Sequence, residues 1–313
     1  MLSDAADEHF TGVALRSKKG NHLHPFVHYL VMNHPRVTFC FLVTGELAKE
    51  NLWRGWFDEL DNLDFPYHVI AHCSLNHMKN IDRNGWLFKY LISDHVETRW
   101  GCVMRAQLAL YRVAQKDGSS WITVHSESCV PFVSAQNFIT AFEENHENSL
   151  INLQAIPAAS LMKNPGNMRN VPVAHHIKHD QWCVLTRNHL DEVLKFANDS
   201  DVAQDMLSES VFAADEHFIG VALSMAGKLH QVSSVMSTLV DWTEDRVENE
   251  GGSPHTFHGW SHESQCVVRK ILEEQCSTAT PLFFRKVSPS FPDHVVETLF
   301  WCWLGVGVGL GSV

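Results

Sequence analysis

Short apolar runs alternate along the chain with stretches whose apolar residues recur every three or four positions. That alternation marks an α/β domain and argues against a β-sandwich or a helical bundle. Residues 37–43, 67–72, 121–125 and 150–154 are brief and rich in β-branched or aromatic side chains, which predicts strands. Between them, Trp53, Trp56, Phe57 and Leu60 share one helix face, as do Val103, Ala106, Leu110 and Val113. A third helix is predicted after Ser134, its N-cap, with Ala135, Phe138, Ile139 and Phe142 facing inward. Further helices are predicted over 188–197, packing through Leu190, Val193, Leu194 and Ala197, and over 264–275, packing through Val267, Val268, Ile271 and Leu272. Residues 157–179 are rich in Pro, Asn and His and lack periodicity, which predicts a long loop lining a site. Residues 249–254 are turn-forming.

With 313 residues, 45% of them hydrophobic, the chain is long enough for one large or two intimately packed domains. Its net charge of −12 argues against nucleic acid as a partner and leaves a small anionic ligand in a local basic pocket as the better fit. The eight cysteines form no C-x-x-C pair, which excludes a zinc ribbon and a redox motif; disulfides in a secretory lumen and buried thiols in a reducing compartment both remain open. Residues 1–30 carry charges and four histidines where a signal or anchor needs an unbroken apolar stretch, so none is expected there. Residues 298–313 are uncharged but interleaved with Gly and short for a span, which predicts a buried or frayed tail. Residues 5–15 recur as residues 213–223 with one difference, Thr11 against Ile219. A single copy of so short a unit is no solenoid, and a local duplication or a misplaced chain start accounts for it.

Several motifs carry candidate chemistry. Residues 121–131 read as a buried strand ending in the polar turn Ser126-Glu127-Ser128, the position where α/β folds place ligand contacts. Asp215-Glu216-His217, Val240-Asp241-Trp242, the Gly-Gly-Ser-Pro-His stretch ending at His255, and Phe283-Phe284-Arg285-Lys286 follow in that order. Together with Trp100-Gly101 ahead of a helix and Gln181-Trp182 with Arg187 behind it, they resemble the Core-2/I-branching β-1,6-N-acetylglucosaminyltransferases and their plant relatives, over roughly residues 37–289.

The resemblance implies a GT-A-type α/β fold with a mixed central sheet flanked by helices. It also implies an inverting transfer from a UDP-sugar to a hydroxyl of a glycan or glycoconjugate, with no metal ion and no cofactor beyond the donor. On it, residues 1–36 are an N-terminal extension holding the duplicate, 37–294 the catalytic domain and 295–313 the apolar tail. The location it implies is the Golgi lumen, with a soluble enzyme as the alternative.

By the same resemblance Glu216 takes the position of the catalytic base, which must remove the acceptor hydroxyl proton as that oxygen attacks. Arg285 and Lys286 stand where basic residues replace a metal on the leaving diphosphate. Glu127, Ser128, Thr44 and His255 fall to the donor, and Trp182, Trp242 and Asp215 to the acceptor. Each has a plainer reading beside it: solvated helix-start carboxylates for Asp215 and Glu216, a surface basic pair, a strand-end turn capped by Ser128, and core packing for either Trp. Asp199-Ser-Asp201 spells the Asp-x-Asp metal motif but follows a helix and overlaps a sequon. His175, His176 and His179, and His255, His258 and His262, invite a metallohydrolase reading without an H-E-x-x-H motif to support it. A catalytically silent glycan- or nucleotide-binding relative is the other alternative.

Overall fold

The computed structural model describes residues 37–155, 168, 170–208, 213–243, 253–276 and 279–300. The first copy of the duplicate, most of 157–169 and the tail beyond 300 lie outside the described residues.

The chain is a mixed α/β fold. It begins with β1 (Val37–Val43), α1 (Glu50–Asn62), β2 (Tyr67–Cys73), α2 (Met104–Asp117) and β3 (Trp121–Ser126). β1 pairs in parallel with β2 on one side and with β3 on the other. All seven residues of β1 are buried, so its alternating side chains feed two cores. Phe39 and Phe41 meet Trp53, Trp56 and Phe57 of α1, while Cys40 and Leu42 join Ala106 and Leu110 of α2. Each buried indole finds an acceptor: Trp53 Nε1 donates to the Cys129 carbonyl at 2.8 Å and Trp56 Nε1 to that of Val133 at 3.0 Å.

The sheet continues through β8 (Val184–Thr186), β5 (Ser149–Leu150) and β9 (Val232–Ser233), in the order β2-β1-β3-β8-β5-β9. β8 runs antiparallel to β3, which makes the sheet mixed. α3 (Ala135–Asn145) starts at Ser134, whose hydroxyl accepts the Asn137 amide, and α4 (Arg187–Asp199) starts at Thr186 in the same way, through His189. The buried faces of both agree with the helical spacing, with Phe138 and Phe142 on one and Leu190, Val193, Leu194 and Ala197 on the other. Among the described residues no helix is long and apolar enough to cross a membrane.

Two expectations change. The strand expected over 150–154 divides: β5 stays in the main sheet, while β6 (Leu153–Ala155) leaves it to pair with β7 (Ile177–His179) in a separate ribbon. The end of the expected 157–179 loop is therefore a strand, held by β6 on one edge and by α6 (Phe218–Met225) packed against it. A third core surrounds the small sheet of β4 (Val130–Pro131), β11 (Phe283–Arg285) and β10 (Thr238–Val240), with α7 (His262–Gln275) over it; α5 (Asp201–Met206) follows α4 directly.

The approach of α6 to β7 depends on Gly220. A Cβ there would lie 2.9 Å from Ile177 Cγ2 and 3.3 Å from His179 Cδ2. Gly220→Ala should destabilise the fold by about 1 to 3 kcal/mol, the usual range for overpacking, despite its better helix propensity. Denaturant unfolding of the two proteins measures the difference, and an unchanged midpoint would show that β7 yields.

Candidate active site

Thr44 follows β1 and Glu127 follows β3, at the carboxyl ends of adjacent parallel strands. The chain leaves β1 toward β2 on one side and leaves β3 toward the other, which makes the carboxyl ends of this pair the switch point of the sheet, the place where ligands of such sheets bind. The two loops are tied together. Thr44 Oγ1 donates to Glu127 Oε1 at 3.0 Å, and the Ala48 amide donates to the Glu127 carbonyl at 2.8 Å. Ser128 turns inward: its amide reaches Ser126 Oγ at 3.3 Å and the two hydroxyls lie 3.0 Å apart.

β11 runs against this corner, with the Val287 amide donating to the Ser128 carbonyl at 3.0 Å. Arg285 at its end lays its guanidinium 4.4 Å above the Trp182 ring, and its buried Nε has no hydrogen-bond acceptor among the described residues. Burial pulls the Arg285 pKa down, while neighbouring Cys129 and Glu127 pull it back; an arginine keeps its proton under such a shift. Trp182 is only 7% exposed, so it serves as a shelf for the cation and has little face left for a sugar.

Lys286 and His255 belong to the same neighbourhood. The Phe257 amide donates to the Lys286 carbonyl at 2.8 Å, and the His255 amide to the Asp241 carbonyl at 3.0 Å. β10 pairs Val240 with Arg285, and Trp242, two residues on, is half exposed. Of the two candidate platforms, Trp242 is the one that presents a ring to solvent.

Glu216 ends a 3-10 turn (Ala214–Glu216) that starts from the left-handed Ala213, whose amide donates to the Gly101 carbonyl at 2.6 Å. Its partner is a residue that the motifs did not single out. Lys178 Nζ on β7 lies 3.2 Å from Glu216 Oε2, and both side chains are partly exposed. The next residues of β7 complete a cluster: His179 is fully buried with Nε2 unpaired among the described residues, and Asp180 accepts from Asn152 Nδ2 at 2.9 Å. Burial lowers the His179 pKa to about 4 and raises that of Asp180. Residues 178–182 thus join the Glu216 region to the Arg285 region along one stretch of chain, and their nearness to the Gln181-Trp182 motif was the only signal of it.

The histidines do not converge. His175 Nδ1 pairs with Ser224 Oγ, His176 Nε2 with the Val171 carbonyl and His179 Nδ1 with the Asp180 carbonyl. Among the described residues no group of His, Cys, Asp and Glu is arranged to hold a metal ion, and seven cysteines stand as free thiols. Asp199 and Asp201 flank Ser200, which caps α5 by accepting the Ala203 amide.

Asp215 is 4% exposed, and its Oδ1 has no partner among the described residues. Burial, with Glu216 adding repulsion, raises its pKa to about 6. The native state therefore binds the extra proton between about pH 4 and pH 6, so stability falls as pH rises through that window and stays lower above it. Asp215→Asn should remove the fall and gain stability over wild type at pH 8 relative to pH 4, on the order of 3 kcal/mol at most. Denaturant midpoints at both pH values measure it, and parallel curves would place the shift elsewhere.

Residues 37–272, well over half of the chain, match the family described as Core-2/I-Branching enzyme. Glycosyltransferase BC10 of Oryza sativa subsp. japonica is 25% identical over 164 residues, which are 51% of this chain and 40% of the rice protein. The chain thus spans less than half the length of that curated relative. Among solved structures, one from Bacillus anthracis, assigned as a glucose-1-phosphate thymidylyltransferase in complex with sucrose, overlaps at TM-score 0.29 and 9% identity, covering 53% of this chain and 78% of that one. A197 from STIV overlaps at TM-score 0.23 and 10% identity, covering 50% and 67%. Superpositions that loose carry no argument about this site.

Proposed function

The chain belongs to the Core-2/I-branching enzyme family, and from that premise we propose that it is an inverting, metal-independent glycosyltransferase that moves a sugar from a UDP-sugar to a hydroxyl of a glycan or glycoconjugate. The observation that carries the reading is a fixed cation beside the strand-end loops, Arg285, with one buried nitrogen unpaired among the described residues, on the same connected framework as a partly exposed carboxylate, Glu216.

In this reading the diphosphate lies against Arg285 and Lys286, with Thr44, Glu127 and His255 bounding the donor. Glu216 accepts the acceptor proton as the oxygen attacks the anomeric carbon, and the bond from that carbon to the diphosphate oxygen breaks on the opposite face. Charge accumulates on the departing UDP, where the arginine and lysine need no reorganisation to meet it. Lys178 Nζ, 3.2 Å from Glu216 Oε2, helps hold the carboxylate in place beside the acceptor. Asp215 precedes the base in the 3-10 turn and is buried, on the acceptor side of this reading. The acceptor side is open at Trp242. We place the reaction in the Golgi lumen, the setting the family resemblance implies.

Glu216→Gln keeps the shape and removes the proton acceptor, so transfer should fall by roughly 10²-fold or more while UDP-sugar binding persists. Glu8→Gln, in the first copy of the duplicate, should transfer at the wild-type rate. Near-normal turnover by Glu216→Gln, read from UDP release with acceptor present, would remove the base assignment.

Lys286→Ala should weaken UDP binding by about 1.5 to 3 kcal/mol, the usual worth of a charge-assisted contact, and turnover should survive EDTA. Activity lost to EDTA and restored by manganese would overturn metal independence. A wild-type chain that binds UDP-sugars yet turns none of them over would be the silent relative.

A further inference from the structure

A groove leads away from the Glu216 turn. Its inner part, about 350 Å³, is bounded by Ala214, the residue before Asp215-Glu216, and by Glu97, Arg99 and Arg105. Its outer part, about 330 Å³, is bounded by Arg112, Asn198 and Gln204. Val96, Arg105 and Leu207 line both parts, so the two adjoin.

The charge of this groove is opposite to that of the protein. Among the described lining residues three arginines stand with one acid, Glu97, which accepts a hydrogen bond from Asn76 Nδ2 at 2.5 Å, whereas the chain as a whole carries −12. Arg105 and Arg112 stand seven residues apart on α2, two turns along one face. Arg105 is held in place by its Nε, which donates to the Leu207 carbonyl at 2.8 Å, and a guanidinium fixed through one nitrogen still presents a planar fork. Beside Arg99 stands Trp100, 70% exposed, on the segment whose Gly101 carbonyl takes the Ala213 amide at the start of the Glu216 turn.

We infer that this groove binds an anionic glycan as the acceptor, with its sugar faces against Trp100 and its carboxylate or sulfate groups on Arg99, Arg105 and Arg112. The inference rests on the transferase reading for the word acceptor and on the groove alone for the chemistry of the ligand. A neutral glycan would make the arginines irrelevant. A chain of acidic sugars meets a local field that attracts it on a protein whose net charge repels it, which steers it to the groove whose inner end is bounded by Ala214, two residues before Glu216.

The test is direct binding to the full chain, by calorimetry, of an oligogalacturonate, of a sulfated oligosaccharide and of a neutral oligosaccharide of equal length. The oligogalacturonate or the sulfated chain should bind at least about tenfold more tightly than the neutral one, and which of the two binds better tells carboxylate from sulfate. That preference should shrink from about 50 to about 500 mM salt. Arg112→Glu, on an exposed position of α2, should weaken anionic binding about tenfold and leave neutral binding unchanged, and Trp100→Ala should weaken both. Lys270→Glu, an equal charge change on the exposed face of α7, should alter none of them. Equal affinity for all three oligosaccharides, or an Arg112→Glu affinity equal to wild type, overturns the inference. Failure of the transferase reading registers separately, as absence of UDP-sugar turnover by the wild-type chain, and does not move these affinities.

Discussion

Parallel pairing of β1 with strands on both sides is the constraint from which the rest follows. A strand buried on both faces needs a helical layer over each, and parallel neighbours need crossovers long enough to supply them. α1 covers one face through Trp53, Trp56 and Phe57, and α2 covers the other through Ala106 and Leu110. The carboxyl ends of β1 and β3 then lie side by side, which places Thr44 against Glu127 with no further instruction. Trp53 extends the same constraint outward, because its indole donates to Cys129 and so fixes the corner from which β4 enters the small sheet that carries Arg285.

Elements with enough residues to show a period were legible in the sequence. β1 and the inward faces of α1, α3 and α4 agree with the spacing of apolar residues, and Ser134 caps α3 as its position predicted. Strands of two or three residues show no period, so β4, β10 and β11 could be located only as parts of motifs. The β6–β7 ribbon was hidden for a different reason. Ile177-Lys178-His179 follows a stretch rich in Pro and Asn, and what makes it a strand is a partner more than twenty residues away together with a helix admitted by Gly220. Lys178 was illegible for the same reason: its partner Glu216 is distant in sequence, and nothing local marks either residue as half of a pair. The order of motifs brought Glu216 and Arg285 forward, while tertiary packing supplied the residues that hold them.

The orphaned buried atoms separate by whether the group can shed its charge. His125 sits among Phe39, Phe41, Trp53 and Phe283 with Nδ1 unpaired among the described residues, and burial lowers its pKa to about 3. His72 and His179 behave alike, each at about 4. At neutral pH all three are uncharged rings, and an unpaired nitrogen on a neutral ring costs about as much as one missing hydrogen bond. They are core residues, and their number reflects the 21 histidines in the chain rather than a metal centre.

Arg285 has no such escape. Its guanidinium remains charged at any pH the protein meets, so burial has to be offset by something of opposite sign. Trp182 offers a quadrupole and Glu127 a carboxylate that is already shared with Thr44. Neither reaches Nε. A buried guanidinium with its Nε short of an acceptor is a group whose remaining demand the oxygens of an anion can meet. The same asymmetry accounts for Lys178 and Glu216, whose charges offset each other and which can remain partly exposed at little cost. A permanently charged residue inside and a mutually neutralised pair outside set the two ends of the candidate site apart in kind.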